Sequence, residues 1–329
     1  MTMSKKEPPE KRSLKQSIGR FVRHNRIPYA FIAPAVLVMF LVHLIPTGEA
    51  IYMSLLNVTQ KTFAAPFSSP FVGLHHYQRI LSGLFLGSEE KLISDLTQSV
   101  INSFWFTLWV QVGTLVISLI LALLLNREFV GRGLARTLVL LPWVVPTFAV
   151  GVIWRFIWAQ EGGLANRVIT DWLHLNEQPI RWLIGENART ALIIPAIWRG
   201  LPFTTVMLLA AMQIIPTDIY EAADIDGANN VQKFLYITWH YLIPIIAVTT
   251  LFGIVFNFFG FGPYNIAITL FGTDQLGKYV DLIMVTIARQ SFGYQLYGYG
   301  AAASVLIMLA ALVFTGLYYR FFREGLTSE

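Results

Sequence analysis

Six stretches of about twenty or more mostly apolar residues run through this chain, at roughly 29–55, 104–125, 138–158, 191–214, 241–270 and 299–319. A helix needs about 20 such residues to cross a bilayer core. With no water in that core, every backbone N–H and C=O must be satisfied within the protein, which leaves helices as the spanning element for runs of this length. Of the 329 residues, 55% are hydrophobic and only 13% charged, against about a quarter charged in soluble domains. The mean hydropathy is +0.57. A chain this apolar cannot cover itself with polar surface, so lipid solvates part of it. The expected fold is all-α, a polytopic membrane protein with six transmembrane helices. The fifth stretch is interrupted by Gly260, Gly262 and Pro263, so it bends or ends early. A shorter run at 280–288 cannot cross and is read as interfacial or re-entrant.

The formal charge of +5 is unevenly placed. Lys5, Lys6, Lys11, Arg12, Lys15, Arg20, Arg23 and Arg26 precede the first stretch, Arg127, Arg132 and Arg136 lie in the second connection, and Arg320 and Arg323 follow the last. With six spans all fall on one side, which the positive-inside rule makes cytoplasmic, together with both termini. The first stretch is too long for a signal-peptide core and is expected to be retained. Residues 1–28 form a basic segment in which Leu14, Ile18, Phe21 and Val22 share a helix face, suited to resting on anionic lipid. This charge reads as a topology signal, so nucleic acid is not expected as a partner. Residues 29–329 form one membrane domain. Its second external connection, at 159–190, is flanked by Trp158 and contains Trp172 and Trp182, read as interfacial anchors or as a dock for an external partner.

Enzymatic chemistry finds little support. There is no cysteine, hence no disulfide, thiolate metal site or cysteine nucleophile. The six histidines have no ligand partners at useful spacing, and His75-His76 reads as a solvated loop pair. The segment 272–279, GTDQLGKY, approaches the phosphate-binding G-x-x-x-x-G-K-[ST] but ends in Tyr279 where a small hydroxyl must reach magnesium, and it falls on the external side. The chain itself is therefore expected to bind no metal or cofactor and to have no catalytic residue.

Between the fourth and fifth stretches lies a polar island, 221–244, EAADIDGANNVQKFLYITWHYLIP. Pro216 ends the preceding helix. Asp218 and Glu221 stand at capping-box spacing for a new one. Gly227 permits the positive φ that stops this short helix, and Asn229 or Asn230 caps the next. Ala222 and Ala223 are small enough for another protein to approach closely. The residues alone allow either a well-capped amphipathic loop with no partner or a hairpin, 216–240, built to grip one.

The pattern Glu221-Ala222-Ala223, Asp226-Gly227-Ala228 and Ile237-Thr238, preceded by QIIPTDIY, resembles the conserved loop of membrane subunits in binding-protein-dependent ABC importers. It departs where that loop continues Leu-Pro, since Trp239-His240 stand here, leaving Pro244 to take over the kink. FVGLHHYQRI (71–80), NSFWFTL (102–108), LLPWVVP (140–146) and YGYGAAAS (297–304) are similar, in order and spacing, to the carbohydrate-importer branch. The resemblance implies a type I importer permease fold in a bacterial or archaeal cytoplasmic (inner) membrane. It also implies pairing with a related second permease, two ATPase subunits that bind ATP and Mg, and an extracellular or periplasmic sugar-binding protein. Tyr220, Glu221, Ala222, Ala223, Asp226, Gly227 and Ala228 would then form the coupling helix against the ATPase.

Polar groups inside spans are costly and so mark functional positions. Gln111, Asn257 and Thr204-Thr205 are such groups, and Phe256, Phe258 and Phe259 flank Asn257 with the aromatic faces that cover a sugar ring. Helix packing through Asn257 is the plainer alternative. The resemblance lays Phe256-Asn257 on a sugar-contacting pair of maltose-type permeases, and Gly200 and Phe203 on contact positions of the fourth span. It also places Gly253 and Gly260 where polar side chains would be expected, implying a smaller or less polar site on this subunit. Arg155 and Arg199 are read as snorkelling to headgroups or, alternatively, as lining an entrance for an anionic solute. The expected substrate is a di- or oligosaccharide, with glycerol phosphate or another polyol as the alternative within this class and a secondary transporter as the alternative outside it.

Overall fold

The computed structural model describes residues 14–87, 90–272 and 277–327. Among them all regular structure is helical, apart from one isolated bridge between Leu56 and Phe71. Five helices are long and apolar enough to cross a membrane unaided: Ile27–Met53, Lys91–Asn126, Asn187–Ile214, Asn230–Phe259 and Tyr297–Phe322. They are the first, second, fourth, fifth and sixth spans. The third is a bent pair, Arg132–Val144 and Thr147–Ile157, whose axes differ by 101°.

That bend corrects the expectation of one straight crossing. Pro146 has no N–H to continue the helix, and a proline drives the residue before it out of the helical region. Val145 accordingly lies at φ −70, ψ 124. The fifth span ends early, as expected from Gly260, Gly262 and Pro263. Gly260 leaves the helix at φ −95, ψ 165, and a separate helix, Gly262–Phe271, begins with Pro263 in its first turn. This helix packs on the second half of the third span. The approach is so close at Gly151 that a Cβ there would lie 1.8 Å from Thr269 Oγ1.

The second span begins earlier than its hydropathy. The helix has 36 residues, about 54 Å at 1.5 Å per residue, so it extends beyond a core of ~30 Å. Its polar first turns are used by the rest of the fold. Asn102 Nδ2 donates to the carbonyls of Lys278 and Asp281, at 2.8 and 3.1 Å, and the Ile283 N–H donates to Ser103 Oγ at 2.9 Å. These bonds hold the short helices Gly277–Val280 and Ile283–Ala288 inside the protein, with Ile283, Val285 and Ile287 buried. The 280–288 run is thus enclosed by the protein and not laid on the membrane surface. At the opposite end, Arg132 Nε donates to the Leu125 carbonyl at 2.9 Å and Arg136 reaches the same oxygen at 3.4 Å. Two of the basic residues of this connection thereby cap a helix.

Three buried clusters make the core. One joins the second half of the third span to the fourth span and the Gly262–Phe271 helix, through Val150, Trp158, Leu192 and Leu270. A second surrounds Ile80, Ile287 and Tyr299, and a third surrounds Ala122, Leu208 and Leu242. The first span contributes nothing buried and packs through its Ile45–Met53 end on the sixth.

Two aromatic expectations change. Trp158 is buried, donates to the Ala191 carbonyl at 3.1 Å and packs on Trp182 with centroids 4.8 Å apart; Trp182 donates to Asn166 Oδ1 at 3.0 Å. These two rings are core, and of the three tryptophans only Trp172 is exposed. His76 is not solvated either. It starts the helix His75–Leu86, is buried against Tyr299, and its Nε2 lies 3.3 Å from the Leu56 carbonyl. Leu14, Ile18, Phe21 and Val22 lie in a helix but their side chains fall outside the described set, as do residues 1–13 and 273–276 of the GTDQLGKY segment.

Candidate functional site

A cavity of about 220 Å³ opens between the second, third, fourth and fifth spans. Gly200, Phe203, Phe256 and Asn257, from two different helices, all line it, together with Gln111, Thr114, Thr204 and Arg199. The fold thus brings the four sequence candidates to one place. Phe203 and Phe252 form part of an aromatic wall, their centroids 6.1 Å apart. Among the described residues, no Asp, Glu or Lys lines the cavity. Hydroxyls, amides and ring faces of this kind can match the hydroxyl edges and apolar faces of a polyol. The volume is below the ~300–1,000 Å³ of a complete ligand site.

The glycines in this wall have a steric basis. A Cβ on Gly253 would lie 1.9 Å from Gln111 Oε1, and one on Gly200 would lie 3.2 Å from Thr114 Oγ1. The space left by Gly253 is filled by the Gln111 amide, so the polar group missing from the fifth span is delivered from the second. Gly260 has a different role: a Cβ there would lie 2.4 Å from the Phe256 carbonyl oxygen, and the residue ends the helix. Thr114, Trp143, Thr147 and Phe252 also line the cavity and were not singled out from the sequence. Thr114 was accessible to it, since it follows Gln111 by three residues and shares its helix face.

Arg199 does not snorkel. Its Nη1 donates to the carbonyls of Pro142 and Val145 at 3.1 and 2.9 Å, with Trp143 at 3.5 Å, at the break in the third span. Arg155 remains exposed. A larger groove of about 690 Å³ runs between the second and fourth spans, but its walls are Trp105, Phe106, Trp109 and Ile197, with polar groups at Asn102, Glu186, Arg189 and Thr190. Its size is greater, yet the polar candidates converge in the smaller cavity.

The hairpin is the second feature. Its helix spans Thr217–Ile225 with Pro216 as N-cap and no side-chain cap. The Asp218–Glu221 capping box expected from the sequence does not form, because the helix starts before Asp218. Asp218 instead sits in the first turn, where a carboxylate favours the helix dipole. The other end is tightly closed. Gly227 takes φ +76, its N–H donates to the Asp224 carbonyl at 3.1 Å, and the Ala228 N–H donates to the Ala223 carbonyl at 2.9 Å. This pair of bonds is the Schellman arrangement, in which the residue after the cap needs a left-handed backbone. Asn229 caps the next helix: the Gln232 N–H donates to its Oδ1 at 2.9 Å while Gln232 Oε1 accepts from the Asn229 N–H at 2.8 Å.

Two side-chain ties fix the short helix on the long one. Lys233 Nζ lies 2.6 Å from Asp224 Oδ1, and Tyr220 Oη lies 2.8 Å from Thr238 Oγ1. Asp224 is exposed, so the ion pair contributes at most about 1 kcal/mol. Glu221, Ala222, Asp226 and Gly227 face outward, while Tyr220, Ala223 and Ala228 are half-buried. The same tip exposes Ile225 and Val231, 88% and 65% accessible. After the hairpin the helix passes through a π-turn at Phe234–Thr238 and continues unbroken past Trp239, His240 and Pro244. The absent Leu-Pro pair therefore leaves no break there.

Comparison with known proteins agrees with this architecture. The family described as binding-protein-dependent transport system inner membrane component matches residues 114–325. A trehalose/maltose transport system permease protein of Thermococcus litoralis is 30% identical over 307 residues, covering 91% of this chain and 94% of its own length. An arabinooligosaccharides transport system permease protein of Bacillus subtilis is 28% identical, covering 93% and 92%. Among solved structures, a chain of a bacterial ABC transporter involved in the import of the acidic polysaccharide alginate superposes with a TM-score of 0.77, over 95% of this chain and 100% of that one, at 20% identity.

Proposed function

This chain belongs to the family of binding-protein-dependent transport system inner membrane components, and from that premise we propose that it is a permease subunit of an ATP-driven importer carrying a di- or oligosaccharide across the cytoplasmic membrane of a bacterium or archaeon. The observation that carries the reading is the convergence of Gly200, Phe203, Phe256 and Asn257 on one carboxylate-free cavity between spans. Asn257 and Gln111 supply hydrogen bonds to sugar hydroxyls, and Phe203 and Phe256 cover the ring's apolar side. A related second permease completes the enclosure, and an external sugar-binding protein delivers the solute.

The chain transports and does not catalyse. Two ATPase subunits, with their ATP and Mg, supply the work through the hairpin 216–240 on the cytoplasmic side, where both termini also lie. Tyr220, Glu221, Ala222, Ala223, Asp226, Gly227 and Ala228 form the coupling surface, with Ile225 as an apolar anchor at its tip. A helix closed by a Schellman turn and tied to the fifth span by Tyr220–Thr238 moves as one body. Closure of the ATPase pair would then tilt the long helices between inward- and outward-facing states.

The test uses the assembled transporter in proteoliposomes. Glu221→Lys alters an exposed side chain with no packing role. It is expected to lower ATPase association and sugar uptake at least ten-fold without reducing insertion; unchanged association and uptake would overturn the coupling assignment. Thermal stabilisation of the cognate binding protein by a panel of neutral sugars and sugar phosphates identifies the solute. Stabilisation by glycerol phosphate alone would replace the oligosaccharide reading.

A further inference from the structure

The break in the third span creates a local deficit of hydrogen-bond donors. In a continuous helix the Pro142 carbonyl accepts from the N–H of residue 146. Here that residue is Pro146, which has none. Val145 is extended and the chain turns by 101°, so its own carbonyl is no longer aligned with the helix that follows. Pro142 is buried, and a buried carbonyl left without a donor keeps its full desolvation penalty.

Arg199, 54 residues beyond Val145 on the fourth span, supplies them. One guanidinium nitrogen donates to Pro142 at 3.1 Å and to Val145 at 2.9 Å. Arginine suits this place because its guanidinium is a permanently charged donor and the carbonyl end of a helix carries partial negative charge. Among the described residues no carboxylate forms an ion pair with it. The two halves of the span that it clamps present Trp143 and Thr147 to the cavity from opposite sides of the break.

We propose that Arg199 is a positioning residue: it holds the bend that Pro146 begins in the third span, and with it the wall of the cavity, and it does not serve as an ionic ligand for a charged solute. The bend is independent of what is transported. Only the consequence for uptake rests on the import function proposed above.

The absence of cysteine allows a direct measurement. Leu134→Cys and Phe156→Cys place spin labels on the two halves, at side chains 67% and 75% exposed. At 1.5 Å per residue these backbone positions would stand roughly 33 Å apart on a straight helix and roughly 21 Å apart with the observed bend. The full chain is measured with the subunits that accompany it, their own cysteines replaced. Arg199→Leu is expected to move the main distance beyond about 25 Å or to double the width of the distribution, and to cut uptake at least ten-fold. Arg199→Lys keeps a cation with three donors but no fork, and is expected to hold the short distance and retain uptake within about three-fold of the parent. If Arg199→Leu fails to insert, Arg199→Gln, which retains one amide donor group, is expected to give a broadened distribution and intermediate uptake. A distribution unchanged in Leu, or in Gln where Leu is absent, overturns the proposal whether or not uptake falls. A rise in KM confined to anionic solutes with an unchanged distribution assigns Arg199 to the substrate instead. Failure to transport any sugar leaves the distance result standing and counts against the function alone.

Discussion

Gly227 offers the sharpest prediction from the hairpin. Its φ of +76 lies in the left-handed region, and a Cβ built there meets nothing within 4 Å. Substitution therefore carries a backbone cost and no steric clash with neighbours. For an ordinary L-residue that cost is about 1–2 kcal/mol, a factor of roughly 5–30 in the closed population. Asparagine tolerates this backbone and a β-branched residue resists it, so the order of hairpin closure should be Gly227 ≥ Gly227→Asn > Gly227→Ala > Gly227→Val. Hydrogen exchange at the Ala228 amide, which is bonded to Ala223, reads the closure directly. Sugar-stimulated ATP hydrolysis in the assembled transporter reads its use. Exchange at Ala228 should quicken about five-fold in the alanine variant and more in the valine variant, with coupling falling in the same order. If Gly227→Val and Gly227→Asn exchange alike, the Schellman turn does not limit hairpin stability and the reasoning fails.

Three further outcomes follow from the geometry. Gly253→Ala puts a methyl 1.9 Å from Gln111 Oε1; it should displace the amide and raise the KM for uptake, and adding Gln111→Ala should restore insertion without restoring affinity. Asn229→Ala removes a side-chain cap and should destabilise the hairpin by about 1 kcal/mol, seen as faster exchange at the Gln232 amide, while Asn229→Asp should be near neutral. Burial holds the His76 imidazole below its usual pKa of 6.5, against the raising effect of the Leu56 carbonyl and with help from His75 and Arg79. The unfolded chain then takes up a proton first as pH falls, so this site's contribution is intact above about 6.5 and is lost below it, levelling off once the folded pKa is passed. Thermal melting between pH 8 and pH 5 should show that loss, and His76→Gln should flatten it.

The apolar helices and their order were legible because each depends on residues close together in sequence. Twenty apolar residues must span, a proline must interrupt, and a glycine flanked by helix formers must turn. The hairpin was readable for the same reason: Gly227 and Asn229 act on neighbours within five positions, and both do what their local chemistry demands. Asp218 misled because spacing alone does not fix where a helix starts, and this one starts two residues earlier, with Pro216 as the N-cap.

What the tertiary structure decided are matches between distant segments. Hydropathy counts Trp158, Trp182 and His76 without knowing which helix lies beside them, and all three find partners 16 to 33 residues away. It scores 138–158 as one crossing because a window sums transfer energies and is blind to the carbonyl that Pro146 leaves without a donor. The bend is supported by Arg199, on a helix laid alongside only after folding. The cavity follows the same logic. The sequence marks Gln111, Gly200, Phe203, Phe256 and Asn257 as costly, aromatic or matched positions, but their convergence depends on Gly253, which lets Gln111 approach where a Cβ would stand, and on Gly200, which leaves Thr114 room for a close contact. Local chemistry along the chain fixed which segments cross and where they turn. Packing between segments far apart in sequence fixed which polar groups meet.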